Sequence, residues 1–350
     1  MPFCTFIPPF VEKEVEKHTD APAAAEQADL DKGIRSRRAA AIEAAPAGVA
    51  EAVAPAAPDV LPILTGGVRE VYDSENTNQQ RKTLVRAEGD PATADADVSF
   101  AYDFAGFVRT FFAEVLERDS IDNSGLKLIL NVHYGNKYNN AFWDGDEMTF
   151  GDGDGVIFSG FARSLDVVAH ELAHGVTQFT AALIYKNQSG ALNEHFSDVF
   201  GTAITQWVND ESPTEADWLI GDEIMGPQLY GEALRSMAHP GLAYDNPILG
   251  KDPQPAHYDD RYQGSADNGG VHINSGIPNR AFYLAAMELG STIVATKIWY
   301  HALQHLPNNA TFSVATDQLA ESARILVKGG YVPKGATQIV RGALREVGMP

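Results

Sequence analysis

A single cysteine, Cys4, stands in 350 residues, so no disulfide can form within the chain. In an oxidising medium, stability would have to come from packing or from a bound metal. Basic residues are scarce: 26 Lys and Arg face 47 Asp and Glu, a formal charge of −21. So acidic a surface repels polyanions, because nucleic-acid binding relies on Lys and Arg to displace condensed counterions. No nucleic acid and no anionic membrane is expected as a partner, whereas divalent cations suit the charge. No stretch approaches roughly 18 uninterrupted apolar residues, so no membrane-spanning helix is expected. The opening residues lack a basic segment followed by a long apolar one, and Pro8 and Pro9 break their only apolar patch. They are not expected to act as a secretory signal, which leaves a cytoplasmic location or secretion by a signal-peptide-independent route.

What is present suffices for a sizeable core, since 44% of residues are hydrophobic and 21% charged. At about 150 residues per domain, the length predicts two domains. Residues 39–58 hold eleven alanines and three prolines, too little bulky apolar surface for a core, and read as a linker. A small segment precedes it, with an apolar patch (Phe3, Phe6, Ile7, Phe10, Val11) and a basic cluster (Arg35, Arg37, Arg38). Residues 60–160 mix short apolar runs, such as 126–132, with Gly, Asn and Asp clusters, the pattern of strands and turns. One stretch there, 103–116, has helical spacing. Beyond residue 164 the apolar positions step by three or four through 164–180, 192–207, 279–304 and 312–327, which predicts helices. The expected fold class is α+β. The expected divisions are 1–60 (leader and linker), 61–181 (mixed) and 182–350 (mainly helical).

Residues 170–174 read His-Glu-Leu-Ala-His within the first of those helical stretches. Histidines four apart share a helix face, so both imidazoles can reach one metal ion with Glu171 beside it. A three-ligand zinc keeps its fourth position for water, lowers that water's pKa to about 7 and needs a nearby carboxylate to take the proton. Glu171 is placed for that work. The helix expected over 192–207 sets Glu194 and Asp198 about one turn apart. Glu194 can be the third ligand, and Asp198 can accept the N–H of a ligating histidine and fix its tautomer. Taken alone, each of these helix faces also reads as a solvated one.

The chain resembles the thermolysin-like zinc metalloproteases. The matching strings are NNAFWDG (139–145), GDGDG (151–155), SLDVVAHELAHGVTQFTA (164–181), SGALNEHFSD (189–198), LRSM (234–237) and DNGGVHINSG (267–276). They run in the family's order from about Val71 to the end. Nineteen residues lie between His174 and Glu194, as in this family, which favours an endopeptidase over the related zinc aminopeptidases. The resemblance implies one catalytic zinc on His170, His174 and Glu194, with Glu171 as general base and Asp198 and Asn193 behind the two histidines. It implies that His272, oriented by Asp267, and Tyr185 donate to the oxyanion. It further implies that Asn140 and Ala141 hold the substrate as an added strand, and that Arg235 binds a substrate carbonyl. Phe158, Val167, Ile220 and Leu234 would line a pocket for a bulky apolar residue just after the scissile bond. The implied fold is a mixed α/β domain and a mainly helical one with the active-site cleft between them.

Two departures accompany the match. Asp166, Asp217 and Asp222 occupy places of a paired calcium site, but Thr205 and Leu219 stand where acids would be, so at most one calcium is expected. The GDGDG string lacks the twelve-residue spacing of an EF-hand loop and reads as a turn between strands. The leader, with Phe6-Ile7-Pro8-Pro9, resembles the short propeptides of the protealysin-like members. That implies a zymogen, with the leader as an intramolecular inhibitor, acting on peptide and protein substrates once released. Cys4, two residues before the apolar patch, reads first as a small packing residue, with a thiolate reaching the zinc as the lesser alternative.

Overall fold

The computed structural model describes residues 5–18, 27, 30–31 and 68–350. The expectations placed on Phe3, Cys4, Arg35, Arg37, Arg38 and the linker 39–58 lie outside the described residues. In the leader, Pro8 caps a short helix, α1 (Pro9–Val15), whose first position is a proline already shaped for it.

The body begins with β1 (Arg69–Asp73) and β2 (Thr83–Ala87), then α2 (Ala96–Leu116), β3 (Leu128–Val132), β4 (Ala141–Trp143) and β5 (Met148–Phe150). The strands form one sheet in the order β2-β1-β3-β5-β4, so β4 is an edge. The pairs β1–β3 and β3–β5 are parallel, and the two outer pairs are antiparallel. Helix α2 starts earlier than the apolar spacing alone indicates, because the Asp95 carboxylate accepts the N–H groups of Asp97 and Val98 and caps it there.

The second part is helical: α3 (Leu165–Gln178), α4 (Asn187–Asn209), α5 (Asp267–Asn274), α6 (Gly276–Leu289), α7 (Thr292–Leu303), α8 (Phe312–Gly329) and α9 (Ala336–Glu346). Between α4 and α5 lies a small antiparallel pair, β6 (Leu219–Ile220) with β7 (Arg235–Ser236). Every residue of α3 is buried, which makes it the central helix on which both parts pack. Helix α4 lies close against it at Gly201, where a Cβ would stand 3.1 Å from the Asp166 carbonyl oxygen. The stretch 279–304 is two helices rather than one. Gly290, in the left-handed region at φ 66°, ends α6, and the Ser291 hydroxyl caps α7 by accepting the Val294 N–H.

Candidate active site

Helices α3 and α4 bring His170, His174 and Glu194 together, with ligand atoms of all three within 4.8 Å of one another. The two Nε2 atoms are 3.1 Å apart, and Glu194 oxygens lie 3.5 Å and 3.3 Å from them. Each histidine is held from behind at 2.8 Å: Nδ1 of His170 donates to Asp198 Oδ1, and Nδ1 of His174 to Asn193 Oδ1. Asn193 is itself oriented, because its amide donates to the Leu183 carbonyl at 3.1 Å. With both Nδ1 atoms protonated, each neutral imidazole turns a lone pair toward the other beside a carboxylate. That arrangement is repulsive unless a proton or a metal cation lies among the three groups, and two imidazoles with one carboxylate is a donor set zinc takes. The electrostatics agree that positive charge belongs there. Burial opposes the charged form of His170, yet hydrogen bonds to Asp198 and Glu194 outweigh it and raise its pKa to about 9. Burial likewise opposes ionised Glu194, and the surrounding histidines, His272 first, overcome it and hold the carboxyl well below its usual range.

Glu171 is fully buried on α3, and its Oε2 accepts the Trp143 N–H from edge strand β4 at 2.9 Å. Across the site the Tyr185 hydroxyl bonds to Glu194 Oε1 and stands 3.3 Å from His272 Nε2. His272 donates from Nδ1 to Asp267 at 2.5 Å, and the other Asp267 oxygen accepts the His272 and Ile273 backbone N–H groups. This return is made possible by residues 267–270, four successive positive-φ residues ending in Gly269 and Gly270. Gly269 stands at φ 86°, a conformation that strains any residue with a Cβ, so the turn favours glycine there. Burial resists the charged form of His272, but Asp267 and Glu194 together raise its pKa.

The cleft beside these groups holds the leader. Phe6 donates its N–H to the Ala141 carbonyl at 3.0 Å, and Ile7 donates to Asn140 Oδ1 at 2.9 Å, so the leader adds to edge strand β4. The Phe6 ring is fully buried, edge-on to His170 at 5.1 Å and 5.1 Å from the Arg235 guanidinium carbon. Leu234 and Phe6 both lie 3.1 Å from where a Cβ on Gly221 would stand. Ile220, beside Gly221 on β6, accepts the Leu234 N–H at 2.9 Å. Phe158 and Val167 are fully buried as well, Phe158 bridged to Met225 and its ring tilted against that of Phe161 at 5.9 Å. Arg235 grips Asp198 through two hydrogen bonds of 2.9 Å, so one carboxylate holds both His170 and the arginine that lies against Phe6. Further along the leader, Gln27 exchanges two hydrogen bonds with the Asn139 backbone, and Tyr138 donates to Asp31.

Asp166, Asp217 and Asp222 lie near enough for the charges of the first two to act on the third. Asp166 already accepts from the Ser164 hydroxyl and the Val167 and Gly221 N–H groups. Burial, with Asp166 and Asp217 nearby, raises Asp222 to about 6. A second acid and histidine group, Asp95, Asp97 and His133, is an ion-paired cluster, with Arg163 on Asp97 and His133 between Asp95 and Asp152. Sequence reasoning missed Trp143, Glu12 and Gly221. The backbone N–H of Trp143 and the absent Cβ of Gly221 leave no signal in a side-chain pattern, while Glu12 reads as one charge on a short helix.

Fold and site together define a zinc-type metallopeptidase, and comparison with known proteins places the chain. Residues 64–178 match the catalytic domain of thermolysin metallopeptidases and residues 181–349 their alpha-helical domain, so the chain belongs to this family. An extracellular metalloprotease of Pectobacterium carotovorum subsp. carotovorum is 52% identical over 70% of this chain and 72% of that protein. A thermolysin of Alicyclobacillus acidocaldarius subsp. acidocaldarius is 42% identical over 69% of this chain and 44% of that protein. The solved precursor of protealysin, a metalloproteinase from Serratia proteamaculans, is 40% identical with a TM-score of 0.83, covering 99% of this chain and 100% of its own. The chain is thus a metalloprotease with the two-domain thermolysin fold, and the family implies zinc.

Proposed function

We propose that this metalloprotease is an endopeptidase that cuts on the amino side of bulky apolar residues and is held inactive by its own leader. The observation that carries the reading is Phe6, seated between His170, Arg235 and Leu234 while its backbone pairs with Ala141. A peptide substrate adding to β4 in the same way would place a Leu, Phe, Ile or Val side chain where Phe6 sits, each buried methylene contributing about 0.8 kcal/mol. In this reading His170, His174 and Glu194 hold the zinc, with Asp198 and Asn193 orienting the histidines. When bound, zinc polarises the substrate carbonyl and lowers the pKa of a water to about 7. Glu171 takes the proton of the attacking water and passes it to the leaving amine. His272, charged with the help of Asp267, and Tyr185 donate to the oxyanion. Asn140 and Ala141 hold the substrate backbone, Arg235 meets its carbonyl, and Phe158, Val167, Ile220 and Leu234 shape the pocket.

Where it fills the cleft, at Phe6 and Ile7, the leader resists cutting because it is not extended there. The Thr5 hydroxyl stands 3.1 Å from both the Ile7 carbonyl and Glu12 Oε1, which bends the chain, and α1 begins at Pro9. Asn140 fixes Glu12 in turn at 3.0 Å. The division into leader 1–60, mixed domain 61–181 and helical domain 182–350 belongs to the same reading, supported by the ranges matched to the family. So does no more than one calcium, at Asp166, Asp217 and Asp222, and a site of action outside the cell, supported by the name of the Pectobacterium relative. The test is to digest casein with and without a zinc chelator and to sequence the new N-termini. Chelator-sensitive cleavage with Leu, Phe, Ile or Val at those termini is expected. A preference for Asp, Lys or Gly there would reject the specificity, and activity indifferent to chelator would reject the metal.

A further inference from the structure

Behind Asp198 a line of buried hydrogen bonds continues away from the cleft, and the chemistry of its far end fixes its direction. Trp299, on α7, donates its indole N–H to His195 Nε2 at 2.8 Å. An indole nitrogen only donates, so Nε2 accepts and the one imidazole proton sits on Nδ1. That proton goes to Asn279 Oδ1, 2.7 Å away on α6. With its carbonyl so committed, Asn279 presents its amide N–H to Asp198 Oδ2 at 2.8 Å. The reverse amide orientation would set Asn279 Oδ1 against the carboxylate. Asp198 therefore accepts four hydrogen bonds, one from Asn279, one from His170 and two from Arg235, which matches its lone-pair capacity. None of Trp299, His195, Asn279 and Asp198 is exposed to solvent.

We propose that Asn279 is a positioning residue for the metal centre and that Trp299 and His195 set its polarity. The relay pins one carboxylate in the orientation that aims both His170 and Arg235. Four positions of α4, α6 and α7 thereby act on a ligand that only Asp198 touches. If packing were their sole duty, apolar side chains of similar shape would serve at little cost, because replacing both partners of a buried hydrogen bond can be nearly neutral. The inference rests on the zinc peptidase reading above.

The relay predicts a difference between two substitutions at one site. His195→Gln can accept from Trp299 through Oε1 and donate to Asn279 through Nε2, so it preserves the direction, whereas His195→Leu breaks it. Both are made in the full chain carrying Glu171→Ala, which prevents self-cleavage, and zinc release to excess chelator is timed. His195→Leu and Asn279→Leu are expected to release zinc about 10- to 100-fold faster than the parent, and His195→Gln within about threefold of it. Trp299→Phe removes one N–H with little change of volume, so it remains informative if a leucine variant fails to fold; it should release zinc at least about threefold faster. Unfolding midpoints of the metal-free chains separate packing from positioning, since a packing role alone lowers the midpoint and leaves zinc release unchanged. Equal release from the parent, His195→Leu and Trp299→Phe overturns the proposal, as does a His195→Gln chain that releases zinc as fast as His195→Leu. A parent that takes up no zinc overturns the peptidase reading, and this proposal with it.

Discussion

His272 gains its chemistry from neighbours rather than from its position in a motif. Its ring is buried, its Nδ1 is tied to Asp267, and its Nε2 faces Tyr185 and Glu194 across the site. A donor preorganised beside a developing anion is worth about 3 to 4 kcal/mol. His272→Ala should accordingly lower kcat by about two to three orders of magnitude with the zinc content unchanged. Steady-state kinetics alongside metal analysis checks this, and an unchanged kcat would place His272 outside the reaction. Legibility in the sequence followed the chemistry at this scale. His170, Glu171 and His174 were readable from helical spacing alone, because four residues make nearly one turn. Glu194 and Asp198 were readable from the next periodic stretch only beside the His170–His174 motif, since without it a solvated face was the preferred reading. His272 and Tyr185 were not readable without a resemblance, since the left-handed turn that folds His272 onto Asp267 depends on backbone geometry and not on any periodic pattern.

Elements meet where charges are shared. His133, in the left-handed region at φ 54°, ends β3 and links the α2 cap residue Asp95 to Asp152 in the 151–155 turn, at 2.9 Å to each. The hydrogen bond to Asp152, opposed by burial and aided by Asp95, raises its pKa from 6.5 to about 9. A histidine whose folded pKa exceeds its unfolded value stabilises the fold fully below pH 6.5, and that contribution fades as pH rises through 9. Both carboxylates are partly solvated, so screening leaves a contribution on the order of 1 kcal/mol. His133→Gln should flatten the fall in stability between those limits while leaving stability above pH 9 near the parent's. Urea unfolding across that range checks it, and an unaltered pH profile would show that the cluster is not coupled to folding. The periodic helices over 164–180 and 192–207 were legible because each buries a continuous apolar stripe. The break at Gly290 was not, since apolar spacing carries on across it while a positive-φ glycine and a serine cap end one helix and start the next. The short strands β6 and β7 carry too few residues for an alternating pattern to register, yet they position Arg235 and the wall of the pocket.

For the whole molecule, the decisive arrangement is a leader that occupies the cleft its own body forms. Phe6 and Ile7 engage β4 and the pocket, and Gln27 and Asp31 hold the far side of Asn139 and Tyr138. The apolar patch interrupted by two prolines marked the leader as something that docks, and the zinc motif marked where. The bend at Thr5 was not legible, because it depends on Glu12 and Asn140 meeting across 128 residues of sequence. The strong negative charge set an expectation about classes of partner but located nothing. Intact mass and casein hydrolysis, followed over time on one sample each of the parent chain and of Glu171→Ala, test this arrangement most directly. The parent should lose its leader with casein cleavage rising in step, whereas Glu171→Ala should keep its full mass and remain inactive. Full casein activity in a parent chain of undiminished mass would contradict the account.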